Sequence, residues 1–185
     1  GNVDETTRPK ALGSQCSADC QCAKGACLNG TCAQRIFVTS SSHTGHLGGL
    51  SKADRICNML ASQAGLSGRW KALLSDDSLA APVRISIAGP LYNMNGDKIA
   101  DDSNDLWDGD IDKPVGYDEN AKSRQVEVWT GMGMNVLNQP LTCENWSSKY
   151  SSGSVGRSGK RDEAWLDGGR VGCDKKRRFY CVGGQ

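Results

Sequence analysis

Residues 47–75, LGGLSKADRICNMLASQAGLSGRWKALLS, contain the clearest local pattern of the chain. Ser51 is a typical N-cap residue, and Asp54 occupies the partner position of a capping box, which Glu or Gln usually fills. The apolar side chains that follow recur at the spacing of one helix face: Ala53, Ile56, Cys57, Leu60 and Ala64. Gly65 suits the left-handed position that ends a helix. We therefore predict a helix from Ser51 to about Ala64.

The remainder of the chain shows the alternation and turn residues of short strands. Val83, Ile85 and Ile87 alternate with polar residues, and Asn95-Gly96 is a strong hairpin turn sequence. Strands are predicted at 35–39, 69–74, 82–89, 126–131 and 177–182, with long loops between them. One main helix and several strands without regular alternation indicate an α+β fold, and they exclude a helical bundle or a doubly wound sheet.

The composition indicates a cross-linked globular chain. Leu, Ile, Val and Phe make up only 32 of 185 residues, but the net charge is +1, and nine cysteines and five tryptophans are present. Disorder on this composition would need a high net charge, so we expect a disulfide-stabilised fold. The near-neutral charge argues against nucleic-acid binding, and no apolar run is long enough for a transmembrane segment. No signal peptide is visible in the sequence; in an exported protein it would have been removed before Gly1 or would lie outside this sequence.

Five cysteines lie close together, and four are spread over the rest of the chain. The first group, Cys16, Cys20, Cys22, Cys27 and Cys32, lies in a polar segment that only cross-links could hold in shape. Zinc is the alternative, but the segment has no histidine and no Cys-x2-Cys pair. Disulfides are favoured, and with them an exported protein. Twelve arrangements remain once a bond between neighbouring Cys20 and Cys22 is set aside. The leftover thiol could be free, bonded to the main domain or bonded to a second chain.

The cysteine groups divide the chain into three parts. Residues 1–15 show no periodicity and are expected to be a flexible lead. Residues 16–33 form the small disulfide-rich segment. Residues 34–185 form the main α+β domain, with its first strand beginning near Arg35.

Several motifs of the sequence follow one another in the order in which they occur in a known protein family. The opening of residues 47–75 resembles that of endostatin, the C-terminal domain of certain collagens, where Ala-Asp also precedes a helical cysteine and a Gly-Leu-x-Gly turn. The later VEVWTG, CENW and VGCDKKRRFYC match that family's Trp-Gly, Cys-x-x-Trp and paired cysteines. The chain is most similar to bacterial endostatin-like secreted or surface proteins. The resemblance covers about residues 35–183.

The resemblance implies a C-type-lectin-like fold with nested disulfides. By position, Cys57 would pair with Cys181 and Cys143 with Cys173. The N-terminal cysteine group has no counterpart in endostatin. The zinc-binding N-terminal histidines of endostatin do not carry over, because His43 and His46 follow the first strand; we interpret both as loop histidines. The Glu-Pro-Asn and Trp-Asn-Asp motifs of calcium-dependent lectins are missing, so the fold alone does not imply sugar binding.

The acidic stretch 101–119 is a candidate calcium loop. Asp108, Asp110 and Asp112 occupy positions 1, 3 and 5 of an EF-hand-like frame, and Glu119 occupies position 12. Lys113 stands where the turn needs Gly, so the match is partial. The alternative is a solvated acidic loop.

Two further features suit ligand binding. Trp107 lies in the acidic stretch and is the tryptophan we expect to be exposed, whereas Trp129, Trp146 and Trp165 are expected in the core. The basic run Lys175, Lys176, Arg177 and Arg178, with Arg157, Lys160 and Arg161 near in sequence, could bind heparin-like polyanions or an anionic envelope surface. If the run is extended, only half of its side chains would line one surface.

Catalysis has little support, because no nucleophile, metal-hydrolase or phosphate-loop motif is present. The sequence therefore predicts a non-enzymatic adhesion or recognition domain, secreted or displayed on a bacterial surface or fibre. Its partner would be a glycan, a matrix protein or another cell's envelope, bound by the loops between Leu91 and Cys143. One alternative is an assembly module linked between chains by an N-terminal cysteine. The other is a secreted hydrolase using a carboxylate pair from residues 101–119.

Overall fold

The computed structural model describes residues 9–133 and 141–185, apart from the side chain of Cys20. Within these residues, helices and strands alternate irregularly, and long loops join them. In chain order they are β1 (Ala26–Leu28), β2 (Thr31–Val38), α1 (Leu50–Gln63), β3 (Trp70–Ala72), α2 (Ala81–Arg84), β4 (Leu91–Tyr92), β5 (Lys98–Ala100), α3 (Ser103–Trp107), β6 (Glu127–Trp129), α4 (Cys143–Trp146), β7 (Ser152–Arg157), β8 (Gly169–Gly172) and β9 (Arg178–Gly183). The predicted mixture of helix and strand is confirmed.

A mixed sheet organises the molecule around two central strands. Its order is β5-β4-β2-β9-β6-β7-β8, with β1 added beside β2 and β3 beside β9. β2 and β9 are antiparallel, with Ile36 opposite Val182 and Val38 opposite Tyr180. β9 is also parallel to β6. The first and last strands of the main domain are therefore neighbours in the middle of the sheet.

The sheet is buried on both faces, because alternate residues of the central strands enter different apolar clusters. Ile36 and Tyr180 belong to the cluster that contains Trp165. Phe37 and Phe179 belong to the cluster that α1 covers, which also contains Trp129 and Trp146. These three tryptophans are fully buried, as predicted, and their large rings supply core volume that the few aliphatic residues do not.

Four disulfides staple this fold. Cys57–Cys181 joins α1 to β9, and Cys143–Cys173 joins α4 to the segment before β9, so both pairs that the resemblance implied are confirmed. The N-terminal pairs, which the sequence left open, are Cys16–Cys27 and Cys22–Cys32. These bonds use eight of the nine cysteines. The ninth is Cys20, and the other eight cysteines of this sequence are all paired with one another.

The N-terminal segment is continuous with the main sheet. β2 spans the expected boundary at residues 33 and 34, and its first residues pair with β1 while its last pair with β9. Lys10 and Gln15 form bridges to Cys22 and Thr31, so residues 10–15 belong to the disulfide segment and are not the flexible lead predicted for 1–15. Residues 1–8 of that lead lie outside the described residues.

α1 begins one residue earlier than predicted. Gly49 is its N-cap, and no side chain caps it, so the capping box of Ser51 and Asp54 does not form. The Asp54 carboxylate instead accepts a hydrogen bond from the backbone N of Ala72 and pairs with Arg84 at 2.7 Å. Gly65 follows the helix at φ +72°, as predicted. In residues 9–133 and 141–185, no helix combines the length and hydrophobicity that crossing a bilayer requires.

The predicted strand at 82–89 is wrong. α2 occupies its first half, and Val83 is exposed rather than inward-facing. Ile85 and Ile87 are buried and Ser86 is exposed, so the alternation of side chains was correct there. Side chains take the place of a neighbouring strand, because Gln34 bonds the backbone at Ser86 and Ala88, and Gln185 also bonds Ser86.

Candidate ligand-binding groove

One edge of the sheet collects the basic residues of two separate segments. β6 and β9 are parallel, with Val128 opposite Arg178, so both strands begin at this edge. β7 is antiparallel to β6, with Arg157 opposite Glu127, so it ends there. The basic run before β9 and the basic residues after β7 therefore meet, although 14 residues lie between Arg161 and Lys176 in sequence.

Three adjoining concavities form a continuous surface at this edge, which we call the cationic groove. The first, of about 370 Å³, is lined by Ser42, Val126, Glu127, Lys176, Arg177 and Arg178. The second, of about 350 Å³, shares Val126 and Glu127 and adds Gln125, Arg157, Gly159 and Lys160. The third, of about 400 Å³, shares Gly159 and Lys160 and adds Asp110, Pro114, Arg161 and Asp162. The second concavity shares two lining residues with the first and two with the third, so the three adjoin one another.

The groove carries an excess of positive charge. Six of its lining side chains are cationic and three are acidic, which leaves three positive charges. The guanidinium of Arg177 pairs with Glu127 at 2.8 Å. Arg157, Lys160 and Lys176 have no carboxylate within 4.0 Å among the described residues. These three exposed cations are available to an anionic ligand.

Of the four residues in the predicted basic run 175–178, three line the groove and one does not. Lys176, Arg177 and Arg178 line the groove. Lys175 does not, because its ammonium group pairs with neighbouring Asp174 at 2.9 Å. Three of the four residues therefore share one surface. A fully extended run would have placed only two of them there, but the regular strand β9 begins only at Arg178.

Buried charges support the floor of the groove. Asp118 is fully buried and receives hydrogen bonds from the guanidinium of Arg124 at 2.9 Å and from two backbone N–H groups. Glu119 accepts a hydrogen bond from the backbone N of Ser40 at 2.9 Å. Arg178 donates to the carbonyls of Thr39 and Ser40. These contacts fix the 116–124 loop and the 39–42 loop against the start of β9.

His43 lies beside the first concavity. Its backbone exchanges hydrogen bonds with Arg177 in both directions, and its ring packs against Phe179 with 5.8 Å between ring centres. Its Nε2 lies 2.8 Å from the Ser41 hydroxyl. Burial, and then the positive charge of Lys176, lower the pKa of His43 below its usual value. The ring is therefore mostly neutral at pH 7 and close to the cations of the groove.

The four predicted calcium ligands are not gathered into one site. Asp112 pairs with Lys98 at 3.2 Å, and the carboxylate of Asp108 accepts a hydrogen bond from the backbone N of Asp110. Glu119 faces Ser40 instead. Among the described residues, no three carboxylates have oxygens within 4.8 Å of one another. These residues do not fit an EF-hand-like site as they stand, and calcium binding stays a prediction.

Trp107 differs from its expected exposure. It is half-buried at the end of α3, and its ring stacks on Trp165 with 6.4 Å between ring centres. Its indole N–H is buried, and neither it nor that of Trp165 has a hydrogen-bond partner in the described part of the chain. The short helix α3 turns the side chain inward, so it does not provide the open aromatic surface that we predicted.

The zinc alternative for the N-terminal cysteines does not fit. The sulfur atoms of Cys16, Cys22 and Cys32 do lie within 4.8 Å of one another. All three are already oxidised in disulfides, and a disulfide sulfur is not the thiolate that zinc requires.

Val126 and Glu127 are among the groove residues that the sequence missed. Both lie at the start of the predicted strand 126–131, and no local pattern distinguishes them from ordinary strand residues. The register of β6 against β9 is what brings them beside Lys176 and Arg177.

Comparison of the chain with known proteins found neither a matching family model nor a similar curated sequence. The inference of function therefore depends on the geometry and charge of the groove.

Proposed function

We propose that this protein is a non-enzymatic extracellular recognition or adhesion domain that binds an anionic glycan in the cationic groove. The observation that carries the proposal is the convergence in the cationic groove of Arg157, Lys160 and Lys176, three cations without an ion pair among the described residues. The groove consists of three adjoining concavities, which offer space for several charged groups of one ligand chain. Its open, shallow form suits a polymer better than an enclosed small molecule.

The position of the groove agrees with a display function. β9 runs from the groove at Arg178 to Gly183, and the β1–β2 hairpin lies near that far end of the central strand pair. The six residues of β9 span about 20 Å. The groove therefore lies at the end of β9 opposite the N-terminal disulfide segment, and a ligand would bind at that end.

The cross-links support an exported protein. Four disulfides join eight cysteines, and such bonds persist in oxidising compartments. The sequence resemblance to endostatin-like proteins adds to this inference, since it implies a C-type-lectin-like fold and a secreted or surface location. We extend that resemblance to a bacterial surface or fibre as part of the proposal.

Calorimetric titration with a dextran sulfate oligomer tests the function, because this probe carries sulfate groups and no carboxyl groups. We expect binding that weakens steeply with salt, and no binding of neutral dextran. The double variant Lys160→Gln and Lys176→Gln should bind about ten-fold more weakly, since two of the available cations are lost. Lys175→Gln is the control: it removes one positive charge next to Lys176 but outside the groove, and it should bind normally.

Two results would overturn the proposal. One is the absence of dextran sulfate binding at low salt. The other is equal weakening by the Lys175 variant and by the double variant, which would indicate a diffuse charge effect instead of a groove. A protein or neutral-glycan ligand would then be sought with matrix-protein and glycan arrays.

A second candidate function is an assembly module in which Cys20 links two chains. Its support is the pairing of the other eight cysteines of this sequence with one another. A dimer on non-reducing gels that disappears with reductant and with Cys20→Ser would support it. A monomer under both conditions would exclude a covalent assembly.

A further inference from the structure

We propose that His43 makes the cationic groove pH-dependent, so that the groove binds anionic ligands more tightly as the pH falls below neutrality. This inference rests on the proposed function, because it concerns the regulation of the same groove. It adds a residue, a direction and a pH window that the charge of the groove alone does not supply.

The geometry couples His43 to the groove through its backbone. His43 N donates to the carbonyl of Arg177 at 2.7 Å, and Arg177 N donates to the carbonyl of His43 at 2.9 Å. The indole N–H of Trp129 donates to the same His43 carbonyl at 2.9 Å. Since Ser42 and Arg177 both line the first concavity, the imidazole is held next to its wall.

The charges around His43 determine the direction of the effect. The positive charge of Lys176 acts on the imidazole ring. Arg177 and Arg178 follow Lys176 in sequence and line the same concavity. The carboxylates that contact Arg177 and the 39–42 loop are already engaged: Glu127 pairs with Arg177, and Glu119 accepts from Ser40. A proton on His43 therefore meets unneutralised positive charge in the free protein, which opposes its uptake.

A bound polyanion reverses this balance. Its negative charges offset Lys176 and attract the imidazolium, so binding favours protonation of His43. By linkage, protonation must favour binding to the same extent. The hydrogen bond between Nε2 and the Ser41 hydroxyl survives protonation, because the hydroxyl oxygen can accept from the ring as well as donate to it.

Because the chain has few histidines, the effect of protonating His43 can be distinguished from the titration of other side chains. The chain has only two histidines, His43 and His46, and side chains of other types in their ordinary state do not titrate between pH 5.5 and 7.5. His46 is exposed in the same loop, outside the lining of the groove. It provides a matched control for the general effect of a surface histidine.

The test measures the dissociation constant of the dextran sulfate oligomer from pH 7.5 to pH 5.5 at constant ionic strength. The sulfate groups stay ionised throughout. We expect the wild type to bind about three-fold more tightly at pH 5.5, an effect on the scale of one extra charge near the ligand. His43→Gln should bind with little pH dependence, whereas His46→Gln should retain it.

A second measurement uses only the wild-type protein. NMR titration of the two imidazole rings, with and without the oligomer, should show that the pKa of His43 rises when the ligand is bound. Binding that is equally tight at every pH, or an unchanged His43 titration in the complex, would overturn the pH switch and leave the groove proposal intact. No binding at any pH would overturn both.

Discussion

Tyr180 shows how a single polar group is accommodated in this core. The residue is fully buried in β9, and its hydroxyl donates to the carbonyl of Trp165 at 3.0 Å. Their rings also pack together, with 5.6 Å between centres. Burial raises the pKa of Tyr180 well above its usual value, because the phenolate would lose its hydration.

Replacement of Tyr180 by Phe should lower the free energy of unfolding by about 1–2 kcal/mol at pH 8, since a buried hydrogen bond is lost and the Trp165 carbonyl is left without that donor. Urea unfolding measures the change. Tyr150→Phe is the control, because Tyr150 is 98% exposed and should change little.

The same pair of proteins tests the pKa of Tyr180. Above about pH 10 an unfolded tyrosine loses its proton, whereas folded Tyr180 keeps it. The unfolded state then binds fewer protons, so wild-type stability falls as the pH rises. Phe has no such proton, and the difference between wild type and Tyr180→Phe should shrink between pH 9 and pH 11. A constant difference over that range would contradict the raised pKa.

Among the elements, α4 has the least ordinary backbone. Cys143, Glu144, Asn145 and Trp146 all have positive φ, between +53° and +62°, so this turn is left-handed without a glycine. A left-handed residue costs about 1–2 kcal/mol. The turn is held by the Cys143–Cys173 disulfide, by the Thr142 hydroxyl accepting from the Asn145 backbone, and by the buried Trp146 indole donating to the Ser75 carbonyl.

Glycine at position 144 should stabilise the protein. The Glu144 side chain is exposed, and its φ of +54° is one that glycine adopts without a steric penalty. We expect Glu144→Gly to raise the free energy of unfolding by about 0.5–1 kcal/mol, since the relief exceeds the added entropy of the unfolded chain.

Lys149→Gly provides the comparison for this change. Lys149 is exposed nearby and has no positive φ, so glycine there should be neutral or destabilising. Urea unfolding of both variants measures the difference. Destabilisation by Glu144→Gly equal to that by Lys149→Gly would mean that the left-handed turn carries no such strain.

At the scale of the whole molecule, the disulfides close loops of very different length. Cys57–Cys181 spans 124 residues and Cys143–Cys173 spans 30, while the N-terminal pairs span 11 and 10. In the chain-entropy account the longest loop stabilises by about 5 kcal/mol and the second by about 3–4 kcal/mol. Every cationic residue of the groove lies inside the 57–181 loop.

Removal of Cys57–Cys181 by paired alanine substitution should therefore be the most destabilising loss of a single bond. Removal of Cys143–Cys173 should cost less, and removal of Cys16–Cys27 less again. Chemical unfolding of the three double variants checks this order. A larger loss for the N-terminal bond would show that local packing, and not loop length, determines the contribution of each bond.

The sequence predicted elements well where local pattern and local structure coincide. The periodic apolar residues from Ala53 to Ala64 identified α1, and Asn95-Gly96 identified the hairpin of β4 and β5. The pattern failed at 82–89, because side-chain alternation reports burial and not the source of backbone hydrogen bonds. Gln34, some 50 residues earlier, supplies bonds that a strand would have supplied.

The sequence identified the basic residues but not their neighbours in space. The basic run stays a candidate binding site, and Lys176, Arg177 and Arg178 share a surface. Lys175 was indistinguishable from them in sequence, yet a local pair with Asp174 keeps it apart. Trp107 was expected to be exposed because of its acidic neighbours, but its contact with Trp165, 58 residues later, decided its burial.

The sequence by itself determined that this chain needs cross-links, because too few aliphatic residues are present for an ordinary core and the cysteine count is high. It also determined the main helix and the chemical character of the basic segments. Only the tertiary structure decided that β6 and β9 begin at one edge where β7 ends, and this placement creates the groove and positions His43 beside it. The physical reason is that strand register is set by contacts between distant segments, which local sequence patterns do not encode.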